Sequence, residues 1–178
     1  MKIIVRIFPL ALVALPVVAQ GTPASVTDSW KPLSFLQGSW EAKAIGGQGV
    51  STTGIYTFRS ELRGHILARH STSDPGCKGP ASYDCDHSDL LYVYQDATGQ
   101  PLKAIYFDNE GHVIHYNVST PDATTAIFLS DDSQPGPQFR LIYELKGAVM
   151  WGKFQMHVPG QNEWKSYLEW RGTKRTER

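Results

Sequence analysis

From Trp40 onward, apolar and polar residues alternate in short runs, and each run ends on a turn signal. A period of two marks strands with one buried face, and closely spaced turns mark an all-β sandwich or barrel. The runs place ten strands near 39–45, 54–62, 65–73, 88–95, 101–108, 112–119, 124–130, 138–145, 148–157 and 164–171. Helical periodicity is nearly absent after residue 38. Only TDSWKPLSFLQ, residues 27–37, has room for a short helical turn.

The turns assign the faces. Asp96–Gly99 and Asp108–Gly111 share the pattern D-x-x-G, which suits a type I turn closed by a left-handed glycine. That geometry pairs Tyr94 with Leu102, Tyr92 with Ala104 and Leu90 with Tyr106, then Tyr106 with Ile114 and Ala104 with Tyr116. Arg63-Gly64 as a tight loop pairs Ser60 with Leu67 and Phe58 with Arg69. Lys146-Gly147 pairs Tyr143 with Met150, Leu141 with Gly152 and Phe139 with Phe154.

Every hairpin then has one apolar face, and sequence neighbours pair all the way round. Such a meander leaves two open edges unless it closes, so the expected fold is an antiparallel up-and-down β-barrel of eight to ten strands. The predicted lumen holds Tyr56, Phe58, Leu67, Tyr92, Tyr94, Tyr106, Tyr116, Phe139, Tyr143, Met150, Phe154 and Trp170. Arg69 is the one charged residue that parity places there. Trp40 at the start of the first strand suits a plug at one end, with Phe35 and Leu36 closing beneath it. Gly38 lets the backbone turn into the strand, and Ala42 and Ala44 leave space above.

Composition changes this picture little. Lys plus Arg and Asp plus Glu are 17 each, so the net charge is zero and neither nucleic acid nor a membrane surface is an expected partner. The amino-terminal run does change it. Residues 1–19 carry Lys2 and Arg6, then an apolar stretch broken by Pro9 and Pro16 and ending in Val17 and Ala19. That reads as a secretory signal peptide cut after Ala19, leaving no membrane span in the mature chain. Residues 20–32 form a polar leader, 33–172 the barrel and 173–178 a basic tail. The expected location is therefore secreted or periplasmic, an oxidising setting in which Cys77 and Cys85 are expected to form a disulfide. A metal site adding Asp84, Asp86 or His87 to the two cysteines is the sharper alternative; it lacks the ligand spacing of structural zinc, and no metal is expected.

The Phe-Leu-Gln-Gly38-Ser-Trp40 start, the meander and the Leu62-Arg63-Gly64-His65-Ile66-Leu67 hairpin resemble the calycin superfamily: lipocalins, fatty-acid-binding proteins and exported bacterial lipocalin-like domains. The resemblance covers roughly residues 33–172 and implies a barrel with an internal ligand. It also implies a basic residue over the tryptophan, for which Arg171 or Lys174 is the candidate. Nitrobindin-like haem barrels share the family, but the glycines of their Gly-x-Trp-x-Gly-x-Gly signature are missing after Trp40. Parity places His70, His115 and His157 outside, His65 and His112 at turns, and His87 in the cysteine loop, so no cofactor is expected.

Catalytic motifs are absent, and the chain reads as a non-enzyme. Asp108, His112 and Ser119 could be drawn as a triad, yet each is explained by solvated turn chemistry. The expected function is binding of a small hydrophobic or amphipathic ligand, anionic ones included, by Tyr56, Phe58, Arg69, Tyr92, Tyr94, Tyr106, Tyr116, Tyr143 and Phe154. With no inward acid in view, Arg69 is expected to orient an acidic head. A second reading makes the outer Ile105, Phe107, Trp151 and Tyr167 a partner or homodimer surface.

Overall fold

Ten strands in sequence order close on themselves when β1 (Gly38–Gly47) pairs antiparallel with β10 (Lys165–Lys174). Between them run β2 (Thr53–Glu61), β3 (Ile66–Ser73), β4 (Ser88–Tyr94), β5 (Lys103–Asp108), β6 (Val113–Asp122), β7 (Thr125–Ser130), β8 (Gln138–Lys146) and β9 (Val149–His157), each hydrogen-bonded to its neighbour. A 3-10 turn, Lys31–Leu36, precedes β1. This computed structural model describes residues 30–47, 53–74, 85–131 and 136–176. The expected signal peptide, most of the leader and Cys77 lie outside the described residues. The 3-10 turn begins at Lys31, the first barrel strand at Gly38, and β10 runs on to Lys174.

The hairpins obey their turn residues. Gly111 takes φ 90° and its N–H donates to the Asp108 carbonyl (3.2 Å), which sets Ala104 opposite Tyr116 and Tyr106 opposite Ile114, as expected. The β2–β3 turn runs left-handed through Leu62, Arg63 and Gly64 (φ 48°, 58° and 88°), and Phe58 lies opposite Arg69. At the β8–β9 hairpin the two-residue turn is Gly147-Ala148, not Lys146-Gly147, so Tyr143 pairs with Gly152 and Leu141 with Phe154. The register moves by two, and a shift of two preserves the face. Leu141, Tyr143 and Met150 are buried together.

At β4 the shift is one, and the face inverts. Pro101 has no N–H to extend the ladder, and β5 starts only at Lys103. Gln100 N–H closes the loop on the Ala97 carbonyl (3.0 Å). Tyr94 therefore pairs with Lys103 and Val93 with Ala104. Asp89, Leu91 and Val93 are the buried residues of β4. Tyr92 and Tyr94, expected in the lumen, stand on the outer face. Tyr92 meets the exposed His70 edge-on (6.4 Å), and Tyr94 borders a small outer dent of about 210 Å³ with Lys103, His115 and Asn117.

The core is the lower half of the barrel, a nearly continuous aromatic layer. Tyr143 touches Tyr56, Phe58, Phe128 and Trp170 with ring centroids 5.4–6.1 Å apart, mostly edge-to-face. Two inward strand glycines make room for it. A Cβ at Gly152 would lie 2.0 Å from the Trp170 ring, and one at Gly172 would lie 2.4 Å from the Tyr56 hydroxyl. This half is packed solid.

Candidate functional site

Trp40 defines the closed end. It is 2 % exposed, its indole N–H donates to the Leu36 carbonyl (2.9 Å), and its ring stacks on Tyr56 at 6.4 Å and 12°. Leu33 and Leu36 of the 3-10 turn are fully buried beside it. Phe35, expected beneath the indole, is only half-buried, because a three-residue repeat brings Leu33 and Leu36 to one side. Lys174, opposite Trp40 across β1–β10, sets Nζ 5.3 Å from the ring centroid. Gly38 allows this: at φ 113° it has no Cβ, and one there would meet the Lys174 stem at 2.7 Å. Arg171, the other candidate, covers Trp151 instead (4.3 Å).

A polar chain begins on top of the aromatic layer. Arg69 of β3 is 5 % exposed. Its Nη1 donates to the Tyr143 hydroxyl and its Nη2 to Asp89 Oδ1 of β4. Arg69 Nε is buried with no partner among the described residues. The second Asp89 oxygen faces His87 Nε2 (3.4 Å), and His87 Nδ1 meets Glu110 Oε1 (3.0 Å) on the β5–β6 turn. Tyr106 of β5 presents its ring 5.9 Å from the Arg69 guanidinium and donates its hydroxyl to Asp108 Oδ2 (3.1 Å). Asp108 also holds His112 Nδ1 (2.8 Å) and accepts from the N–H groups of Glu110 and His112.

The electrostatics follow from the pairing. Burial would lower the Arg69 pKa, but the adjacent Asp89 charge outweighs it and raises it. Burial would likewise raise Asp89, and Arg69 and His87 hold it below the ordinary carboxylate value. The hydrogen bond to Asp89, with help from Glu110, lifts His87 to about 9 against the opposing effect of burial. Tyr106, Tyr116 and Tyr143 are pushed up, chiefly by burial, so their hydroxyls stay neutral donors. Arg69, Asp89, His87 and Glu110 thus carry four charges that cancel in pairs.

Above this floor the inward side chains keep part of their surface in solvent. Ala42, Ala44, Tyr106, Ile114, Phe139, Phe154 and Leu168 are all half-buried; toward Trp40 most inward side chains are buried, with Leu102, Val118 and Leu145 keeping some surface at the strand ends. Phe139 and Phe154 stack at 5.6 Å and 8°. A bulge between Ser166 and Leu168 leaves Tyr167 unpaired, and its ring packs edge-on against Phe154 at 6.0 Å while staying 59 % exposed. These residues gather at the end opposite Trp40, the mouth end of the barrel, where the connecting residues 48–52, 75–84 and 132–135 lie outside the described residues.

Of the expected ligand residues, Tyr56, Phe58, Tyr116 and Tyr143 form the packed half, Arg69 its upper surface, and Tyr106 and Phe154 the wall above. Tyr92 and Tyr94 are not with them. Asp89 and His87 were missed. SDLLYVY is apolar on both of its alternating faces, so only the length of the following loop could have shown that Asp89 points inward. Asp108 and His112 do meet, but Ser119 sits at the far end of β6, roughly 20 Å along the strand. Asp108's bonds are those of a carboxylate organising its own turn. No family model matches the chain, and no curated protein matches it either.

Proposed function

We propose that the chain is an exported calycin-like barrel that binds one small hydrophobic or amphipathic ligand at the end opposite Trp40. The observation that carries the reading is the contrast between the two ends. One is sealed by Trp40, Leu33 and Leu36 under the Lys174 stem; the other presents half-buried Phe139, Phe154, Ile114 and Leu168 above a buried polar floor. A concave apolar wall with a few convergent polar groups is the usual form of a small-molecule site. The calycin assignment rests on the closed meander, the Gly38-Ser39-Trp40 start and the basic Lys174 over the indole. The chain acts by binding rather than catalysis, because the Asp108–His112 pair is spent on turn geometry.

The expectation that Arg69 meets an acidic head in the absence of an inward acid is corrected by Asp89, which already matches its charge. Native mass spectrometry of protein purified from its host tests the carrier reading. A single small-molecule adduct is expected. A doubled mass without adduct would favour the second reading, a homodimer surface of the outer Ile105, Phe107, Trp151 and Tyr167, of which Phe107 lies between Leu90 and Val113 on the outer face. Export brings with it a Cys77–Cys85 bridge, and reduction is expected to raise the intact mass by two hydrogen atoms.

A further inference from the structure

We infer that the ligand of this barrel is an uncharged, flat aromatic molecule whose hydrogen-bond acceptor takes the Arg69 Nε–H. The inference rests on the carrier reading above and adds the chemical class. Three observations converge. First, the floor is electrically complete: Arg69 is matched by Asp89, and His87 lies between Asp89 and Glu110. A carboxylate or phosphate lowered onto it would lose its hydration beside Asp89 without gaining an unmatched cation, and an ammonium would likewise meet a carboxylate already spoken for.

Second, what the floor leaves unused is donors. Arg69 Nε is a buried N–H with no partner among the described residues. Tyr143 accepts from Arg69, which leaves its own proton free to donate. A buried donor left unmade is costly, so a ligand that supplies a carbonyl, ether or ring nitrogen recovers that loss, whereas one with only donors does not. Third, the wall above is aromatic and ordered by rings: Phe139 and Phe154 lie parallel, with Tyr167 edge-on at the rim. A planar apolar molecule extends that stack by offset or edge contacts.

Three matched probes test this at pH 7: methyl 2-naphthoate, 2-naphthoate and 2-methylnaphthalene, titrated into the full chain by fluorescence. The neutral ester is expected to bind more tightly than the anion, by about tenfold or more, because the anion is desolvated beside Asp89 without compensation. It is also expected to bind more tightly than the hydrocarbon, which supplies no acceptor. Asp89→Asn leaves Arg69 unmatched, and there the order of ester and anion is expected to reverse. Should that variant fail to fold, the wild-type order alone decides. Binding of the anion as tight as the ester, or of the hydrocarbon as tight as the ester, overturns the inference and leaves the carrier reading standing. No binding of any of the three also overturns the inference, and the carrier reading falls with it only if the native mass of host-purified protein shows no small-molecule adduct.

Discussion

At the scale of single residues, Trp40 and the Arg69–Asp89 pair stabilise the fold in opposite ways. Trp40 does so by burial: its ring is packed on all sides and its one polar atom is satisfied by Leu36. Trp40→Ala is expected to cost about 3–5 kcal/mol, read from denaturant midpoints; a loss well under about 1 kcal/mol would mean that the indole is not packed as a plug. The ion pair is different, because its attraction must offset the desolvation of two charges. Arg69→Met or Asp89→Leu alone is expected to destabilise by about 3–5 kcal/mol, and the double variant by much less than the sum. Additive losses would contradict a direct pairing. His87 adds a pH dependence. Its pKa rises from 6.5 to about 9 on folding. The folded state therefore holds its proton more tightly, and the stability this contributes is full below pH 6.5 and is lost as pH rises through about 9. The melting temperature is expected to fall across that window, and His87→Gln to flatten the fall; an unchanged slope in the variant would remove His87 as its source.

At the scale of strands, the inward glycines matter as much as the aromatics they admit. Gly152→Ala drives a methyl into Trp170, with no room at 2.0 Å, whereas Gly147→Ala meets open space and only an unfavourable φ of 61°. Gly152→Ala is expected to cost about 1–3 kcal/mol or more, and Gly147→Ala about 1 kcal/mol. Thermal melts of both variants check the order, and equal losses would argue against a packed lower half. The same strands show what was legible in the chain. All ten elements and the faces of β2, β3, β5, β6, β8 and β9 follow from alternation and turn chemistry, and the two-residue error at β8–β9 left the faces intact. The β4 face does not follow, because its two alternating sets, Leu90/Tyr92/Tyr94 and Asp89/Leu91/Val93, differ too little in hydrophobicity to resist a one-residue slip. That slip put two tyrosines in the lumen and hid the counter-ion of Arg69. The bulge that brings Tyr167 to the mouth leaves no local signal either, since nothing in KSYLEW marks where the register breaks.

At the scale of the molecule, closure of β1 on β10 removes every strand edge among the described elements and leaves the two ends as the places where the barrel can differ. Trp40 and its 3-10 turn spend one end on stability. The polar chain from Tyr143 through Arg69, Asp89 and His87 divides that packed half from an aromatic mouth. The account stands on where a ligand sits relative to this divide. The most direct measurement is the set of intermolecular nuclear Overhauser effects between methyl 2-naphthoate and the protein in solution. Contacts to Phe139, Phe154, Leu168 and Tyr167, with none to Trp40 or Tyr56, are predicted. Contacts to the outer Leu90, Phe107 and Val113 in place of the mouth would contradict it.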